Sequence, residues 1–281
     1  MHREMADKKK VVFLGMGKFV DLNNNNALFS QNFATYVQPP STSMEYFVFD
    51  TYEDLRLRAA GIFMAQLEVN KGLLAGAATG STPTGLYTRL AEIARETPSL
   101  FSALRVMKLD EWYGLPMDDP GTCETYLRTR LLEPLNIGDD RYFSFNSNAG
   151  DPEAECRAVR TMLELNGPID LCILGLGMNG HIAFNEPSAS LTAHPHLATL
   201  ARSSQIHPMI ADSGQKPEFG LTLGMADIFQ SRMILLLISG TAKRDIVQNL
   251  LSQRITTALP ASLLWLHPNA ICLIDRDAYR S

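Results

Sequence analysis

The sequence predicts an α/β fold: a doubly wound, mostly parallel, Rossmann-like sheet with helices on both faces. Three observations carry that expectation. Short apolar runs alternate along the chain with segments whose apolar residues recur at helical spacing, the pattern of repeated βα units. The apolar runs are too short for core helices and read as buried strands, as in Leu171–Leu174 and Met233–Ile238. Several of them empty into glycine- and hydroxyl-rich loops, and ligands of open α/β sheets bind at the carboxyl ends of strands.

The chain has 281 residues, 46% of them hydrophobic, enough for one large α/β domain. Its net charge is −5 and it carries no basic stripe, so nucleic acid is not an expected partner. No apolar run approaches the roughly 18 residues of a membrane span, and no signal-peptide pattern opens the chain. The four cysteines, Cys123, Cys156, Cys172 and Cys272, lack metal-type spacing and fit a reducing cytoplasm better than a disulfide framework.

Residues 1–43 differ from the rest. Lys8–Lys10, an asparagine run at Asn23–Asn26 and the Pro39–Ser43 linker read as an N-terminal extension, natural or added by cloning, before a domain spanning 44–281. From Thr51 the pattern is helical. Thr51 is placed to cap, and Leu55, Ala59, Ile62, Phe63 and Leu67 share a face. Gly72–Ala77 reads as a strand. It ends in Ala78-Thr79-Gly80-Ser81-Thr82-Pro83, with Leu86, Tyr87 and Leu90 continuing at helical spacing. Pro83 suits the first helical position and Ser81 or Thr82 the cap. A strand, a glycine-hydroxyl loop and a helix N-terminus together favour a bound phosphate over an ordinary capped turn.

Arg105–Leu109 is the next expected strand, with Asp110 and Glu111 at its end. A helix is expected over 122–133, a strand over 142–145 and a helix over 152–165, leading to the strand Leu171–Leu174. That strand opens into Gly175, Gly177 and Gly180, followed by His181, Asn185, Glu186 and Pro187. Gly175-x-Gly177-x-x-Gly180 matches a dinucleotide fingerprint. That motif requires a following helix and an acid about 20 residues on. Pro187 and Pro195 interrupt any helix here, and Ala201 and Arg202 stand where the acid would be. His194 and His196 could ligate a metal, but no partnering cysteine or carboxylate cluster accompanies them. The chain is expected to be loop-rich to Gly220, with a turn and short helix over 221–229. After Met233–Ile238 comes Ser239–Lys243, with a helix over 241–251. Lys243 in the first turn of that helix opposes the dipole, which a bound anion, or a side chain snorkelling into solvent, would resolve. A helix over 260–266 and a strand over 270–274 complete the pattern.

Four segments resemble the glucosamine-6-phosphate deaminase (isomerase) family, which includes galactosamine-6-phosphate deaminases and the related 6-phosphogluconolactonases. They are Ala78–Pro83, Leu109-Asp-Glu-Trp-Tyr-Gly-Leu-Pro116, Gly177-Met-Asn-Gly-His-Ile-Ala-Phe-Asn-Glu-Pro187 and Leu221–Gly224, with Leu266-His-Pro268 in support. The second and third look like the deaminase branch. The resemblance implies that an aminosugar phosphate is opened, isomerised and stripped of ammonia. Asp110 would be the base and His181 the ring-opening group, oriented by Glu186 with Asn179 as second partner. Phosphate and substrate contacts would come from Thr79, Gly80, Ser81, Thr82, Glu111, Gly177 and Lys243. No metal and no organic cofactor are required. The partner is a small-molecule sugar phosphate, and homo-oligomers occur among relatives.

Two departures from the family pattern matter. No arginine stands where many relatives hold the phosphate between Leu200 and Leu221, leaving His207, Arg202 or Lys216 as substitutes, and this segment looks more like the galactosamine branch. Ala189, His196 and Ala198 occupy positions that regulated relatives fill with serine and basic residues, so activation by an N-acetylated aminosugar phosphate is not expected. Hydrolysis of a lactone, or sugar-phosphate sensing without catalysis, are the alternative activities.

Overall fold

The computed structural model describes residues 11–13, 19–21, 43–211 and 215–280. The chain divides into two compact units, residues 1–41 and 42–281. In the first unit β1 (Val11–Phe13) pairs antiparallel with β2 (Phe19–Asp21). The Lys8–Lys10, Asn23–Asn26 and Pro39–Thr42 stretches lie outside the described residues.

The second unit is built on a seven-stranded sheet. Its strands are β3 (Glu45–Phe49), β4 (Leu74–Ala77), β5 (Arg105–Lys108), β7 (Tyr142–Phe143), β8 (Leu171–Gly175), β11 (Met233–Ile238) and β12 (Ala270–Asp275). Their order is β3-β12-β11-β8-β4-β5-β7, and every pair is parallel. The chain runs outward from β4 to β5 and β7, returns to β8, then runs the other way to β11 and β12. The topological switch therefore lies between β4 and β8, where open α/β sheets bind ligands.

Alternation along each strand explains why both faces are covered. Ala75, Ala77, Ile173, Leu235 and Leu237 enter one buried cluster with the helices α1 (Tyr52–Val69) and α2 (Ser81–Glu96). Leu74, Cys172, Leu174, Leu236 and Ile274 enter a second cluster with α4 (Pro152–Asn166) and α7 (Arg244–Leu251). Thr51 caps α1 as expected, its side chain accepting from the Asp54 N–H at 3.1 Å.

Several elements depart from the sequence expectation. The strand β3 was not foreseen; its residues are largely exposed at the sheet edge, so no alternation marks them. The region read as loop before Gly220 holds β9 (His196–Thr199), which joins β10 (Phe219–Thr222) and β6 (Asp110–Trp112) in a small antiparallel sheet. The turn expected at 221 is thus a strand end, and α6 begins at Met225 (Met225–Phe229). Three helices are not regular throughout. The 122–133 helix is α3 (Cys123–Leu127) continued by a π turn, the 260–266 helix is 3-10, and α7 follows a 3-10 turn at Thr241–Lys243. A short α5 (Arg202–Gln205) and α8 (Arg276–Tyr279) complete the unit. Among the described residues, no helix is long and apolar enough to cross a membrane, and all four cysteines are free and buried.

Leu236 is fully buried in the central strand β11, between β12 and β8. Leu236→Ala is expected to lose about 2–5 kcal/mol of stability, because neighbouring strands cannot close on the cavity. Denaturant unfolding followed by circular dichroism checks this.

Candidate active site

The four central strands β11, β8, β4 and β5 are neighbours and parallel, so the segments that leave them lie along one edge of the sheet. These are Ser239–Lys243, Leu176–Glu186, Ala78–Thr82 and Leu109–Asp110.

The loop after β4 turns at Gly80, whose φ of +102° is costly for any residue with a side chain. Gly80 is the N-cap of α2, and no side chain caps the helix. This corrects the expectation that Ser81 or Thr82 would cap and Pro83 would open the helix: Ser81 is already its first residue. The first-turn N–H groups thus lack a capping side chain, which suits an anion. The loop is held from behind. The Tyr126 hydroxyl donates to the Gly80 carbonyl at 2.8 Å, and the Tyr52 hydroxyl to the Thr82 carbonyl at 2.8 Å. Thr82 Oγ1 lies 3.2 Å from Ser239 Oγ, so the loops after β4 and β11 touch. Gly240 repeats the positive-φ turn, and its N–H donates to Asp275 at 3.1 Å.

Lys243 reaches back to the loop after β8, its ammonium donating to the Leu176 carbonyl at 2.5 Å. Among the described residues it has no carboxylate partner. Burial alone lowers its pKa to about 8. A half-buried cation without a carboxylate partner is an electrostatic invitation to an anion.

The loop after β8 is a tight turn and not the start of a helix, which removes the dinucleotide reading of its glycines. Gly177 N–H donates to the His181 carbonyl at 2.9 Å, and any Cβ on Gly177 would run into the His181 ring. Gly180 sits at φ +86°. His181 Nδ1 lies 3.2 Å from Glu186 Oε2, which also accepts from Asn179 Nδ2 at 2.7 Å. The other oxygen, Oε1, accepts from Ser204 Oγ at 2.6 Å and the Ala201 N–H at 3.2 Å. Burial pushes the Glu186 carboxyl up, but the hydrogen bonds from His181, Ser204 and Asn179 and the imidazole charge outweigh it, leaving a pKa of about 2. An ionised Glu186 holds the proton of His181 on Nδ1, which leaves Nε2 as the free nitrogen.

The same loop is tied to the strand of Asp110. The Phe184 N–H donates to Thr222 Oγ1 at 3.1 Å, and Thr222 is the register partner of Asp110 across β10 and β6. Asn185 Nδ2 donates to the Leu223 carbonyl, and the Leu223 N–H donates to Leu109. Asp110 is 8% exposed. Burial and the neighbouring Glu111 charge raise its pKa to about 7, against opposing contributions from Lys108 and Cys123. Cys123 Sγ bridges two loops, 3.9 Å from Asp110 Oδ1 and 3.4 Å from Thr79 Oγ1.

Glu111 is not available to a ligand, contrary to expectation. It is fully buried, and its two oxygens accept four hydrogen bonds at 2.8–3.0 Å, from Lys108 Nζ and from the N–H groups of Trp112, Cys123 and Glu124. Those bonds use both oxygens on the protein itself. His207 caps a 3-10 turn with Nδ1, and its ring packs 6.0 Å from Trp112. Burial, then the charges of His181 and Lys243, lower its pKa, so it faces the same region. His194 pairs with Asp227 and His196 with the His194 carbonyl, so the two rings are separately engaged. Ser204, Ser239, Thr222 and Cys123 were missed from sequence. Lone hydroxyls and thiols carry no local signal, and only tertiary contacts single them out.

The depressed pKa of Glu186 has a stability consequence. Its folded value, about 2, lies below the ordinary glutamate value of 4.5. Its contribution is complete above pH 4.5 and is lost as pH falls toward 2. Glu186→Gln should therefore flatten the decline of stability in that window, measured by denaturant melts at stepped pH.

Residues 63–272 match the family described as glucosamine-6-phosphate isomerases/6-phosphogluconolactonase. A putative deaminase AgaI of Escherichia coli K12 is 39% identical over 226 residues, covering 80% of this chain and 90% of the relative. A glucosamine-6-phosphate deaminase of Geobacillus sp. WCH70 is 39% identical over 232 residues, covering 81% and 91%. The solved structure of a monomeric glucosamine-6-phosphate deaminase superposes with a TM-score of 0.78 at 36% identity, over 84% of this chain and 98% of that one. A 6-phosphogluconolactonase from Trypanosoma brucei, at 20% identity and a TM-score of 0.69, shares the fold. With a family match over residues 63–272 and relatives 39% identical over four fifths of its length, the chain belongs to the family of glucosamine-6-phosphate isomerases and 6-phosphogluconolactonases.

Proposed function

We propose that this protein is an aminosugar-6-phosphate isomerase/deaminase that converts glucosamine-6-phosphate or galactosamine-6-phosphate and water to the ketose 6-phosphate and ammonia. One observation carries the reading. At the β4/β8 switch, a carboxyl poised near neutrality and an imidazole held by an ionised glutamate flank an uncapped helix N-terminus and a half-buried lysine. The similarity to named deaminases at 39% identity supports it.

The chemistry follows from these groups. The phosphate sits on Thr79, Gly80, Ser81 and Thr82 at the start of α2, with Lys243 supplying charge and His207 the remaining contact. Gly177 leaves room for the His181 ring. His181 Nε2 takes the proton of the anomeric hydroxyl and returns one to the ring oxygen, opening the sugar. Glu186, with Asn179, stabilises the imidazolium formed on the way. Asp110 removes the C2 proton, giving an enolamine, and delivers it to C1. A carboxyl titrating near pH 7 serves both steps, because it neither holds nor releases the proton too firmly. The resulting C2 imine is hydrolysed by water, and ammonia leaves. We assign the activity to residues 44–281, with 1–43 as an extension, and favour the galactosamine epimer on the variant segment before Leu221.

Ammonia release from the two epimeric phosphates, measured side by side, tests the function. Faster turnover of the galacto epimer is expected. Hydrolysis of 6-phosphogluconolactone with no ammonia from either epimer would replace this reading with the lactonase one. Asp110→Asn should lower kcat by roughly 10²–10⁴ with little change in KM. It should also fold at least as stably above pH 7, because the raised carboxyl opposes folding once ionised. Undiminished turnover would place the base elsewhere.

A further inference from the structure

Beside Asp110 in the chain, and extending to the start of α3, lies a cluster of buried charges. Lys108 is fully buried. Its ammonium donates to Glu111 Oε2 and to Glu124 Oε2, each at 2.8 Å. Glu124 also accepts from the Tyr142 hydroxyl at 2.9 Å and from Arg128 Nε at 2.7 Å. Glu111 ties the cluster to two stretches of backbone: to Trp112 on its own strand, and to Cys123 and Glu124 at the start of α3. A buried lysine loses its hydration, and the structure compensates with two carboxylates. A surface lysine would have served folding with less desolvation.

We infer that Lys108 and Glu111 are positioning residues for the reaction, fixing the strand that presents Asp110 and setting, with opposite signs, the charge that its carboxyl experiences. This rests on the deaminase reading of the site. The groups facing Asp110 from other elements are Cys123 of α3, Tyr87 of α2 and Cys172 of β8. Burial raises all three: Cys123 and Tyr87 well above their ordinary values, and Cys172 to about 12. They are therefore uncharged at neutral pH. Lys108 and Glu111 remain as the charged neighbours, the lysine favouring the carboxylate and the glutamate opposing it. With both present the base stays near neutrality; with either alone it moves away.

The test is the pH profile of kcat/KM for ammonia release by the full chain, using whichever epimeric phosphate it turns over. Lys108→Met should move the acid limb of the profile upward by about one pH unit, seen as roughly 10-fold lower kcat/KM well below the limb. Lys108→Arg should return it toward the wild-type position. Glu111→Gln should move it downward. Opposite directions are the signature, because loss of a merely structural contact would lower the whole profile without displacing its limb. A limb that stays in place, or that moves the same way in folded Lys108→Met and Glu111→Gln, overturns the inference. If Lys108→Met does not fold, the direction given by Glu111→Gln decides. Wild-type protein that releases no ammonia would instead sink the underlying function. Ammonia release by the wild type that falls by roughly 10²–10⁴ in Asp110→Asn, with no displacement of the limb in the Lys108 and Glu111 variants, would sink the inference and leave the function standing.

Discussion

Parallel pairing is the constraint on which this molecule depends. In a parallel sheet every strand ends on the same edge, so residues far apart in sequence gather without any direct attraction between them. Here β11, β8, β4 and β5 lie side by side, and the segments leaving them carry Lys243, His181, the Thr79–Thr82 loop and Asp110. The reversal of winding between β4 and β8 opens a crevice at that edge, since the two connections depart in opposite directions. The sheet itself is secured by burial on both faces, which is why its central strands are almost wholly apolar.

Upon this frame the site is assembled by hydrogen bonds that cross between elements. The small antiparallel sheet of β6, β10 and β9 fastens the His181 loop to the Asp110 strand through Thr222 and Leu223. Glu186 draws together two segments, receiving His181 and Asn179 from its own loop and Ser204 from α5. Such a carboxylate is costly to bury unless each oxygen is satisfied, and here each accepts at least two bonds. Rigidity of this kind supplies the preorganised geometry that acid–base catalysis needs.

The charges of the site are deliberately unequal. Glu186 is held ionised, the Asp110 carboxyl titrates near pH 7, and among the described residues Lys243 has no carboxylate partner. Pairs of carboxyls driven apart by their surroundings mark divided acid–base roles. Glu111, adjacent to Asp110 in sequence, has gone the other way and become part of the interior. Breaking a buried pair such as Lys108–Glu111 generally costs about 3–5 kcal/mol, so the cluster bears on stability as well as on Asp110.

The alternation of short apolar runs with helical periodicity was enough to declare the doubly wound sheet, because strands buried on both faces must be apolar throughout. The glycines at positions 80, 177 and 180 were equally legible, since tight turns and close approaches demand them. Pattern could not reveal β3, whose exposed residues follow no period, nor β9 and β10, which form a sheet only by pairing with the sequence-distant β6. Nor could it tell Asp110 from Glu111, two neighbouring acids with the same local surroundings. Tertiary packing separates them: one carboxyl takes four hydrogen bonds in the interior, while the other is left beside the crevice with a single thiol. Sequence settles which groups are carried to the edge of the sheet. Only the folded chain decides which of them face the crevice and with what charge, because burial and hydrogen bonding are properties of the assembled surroundings.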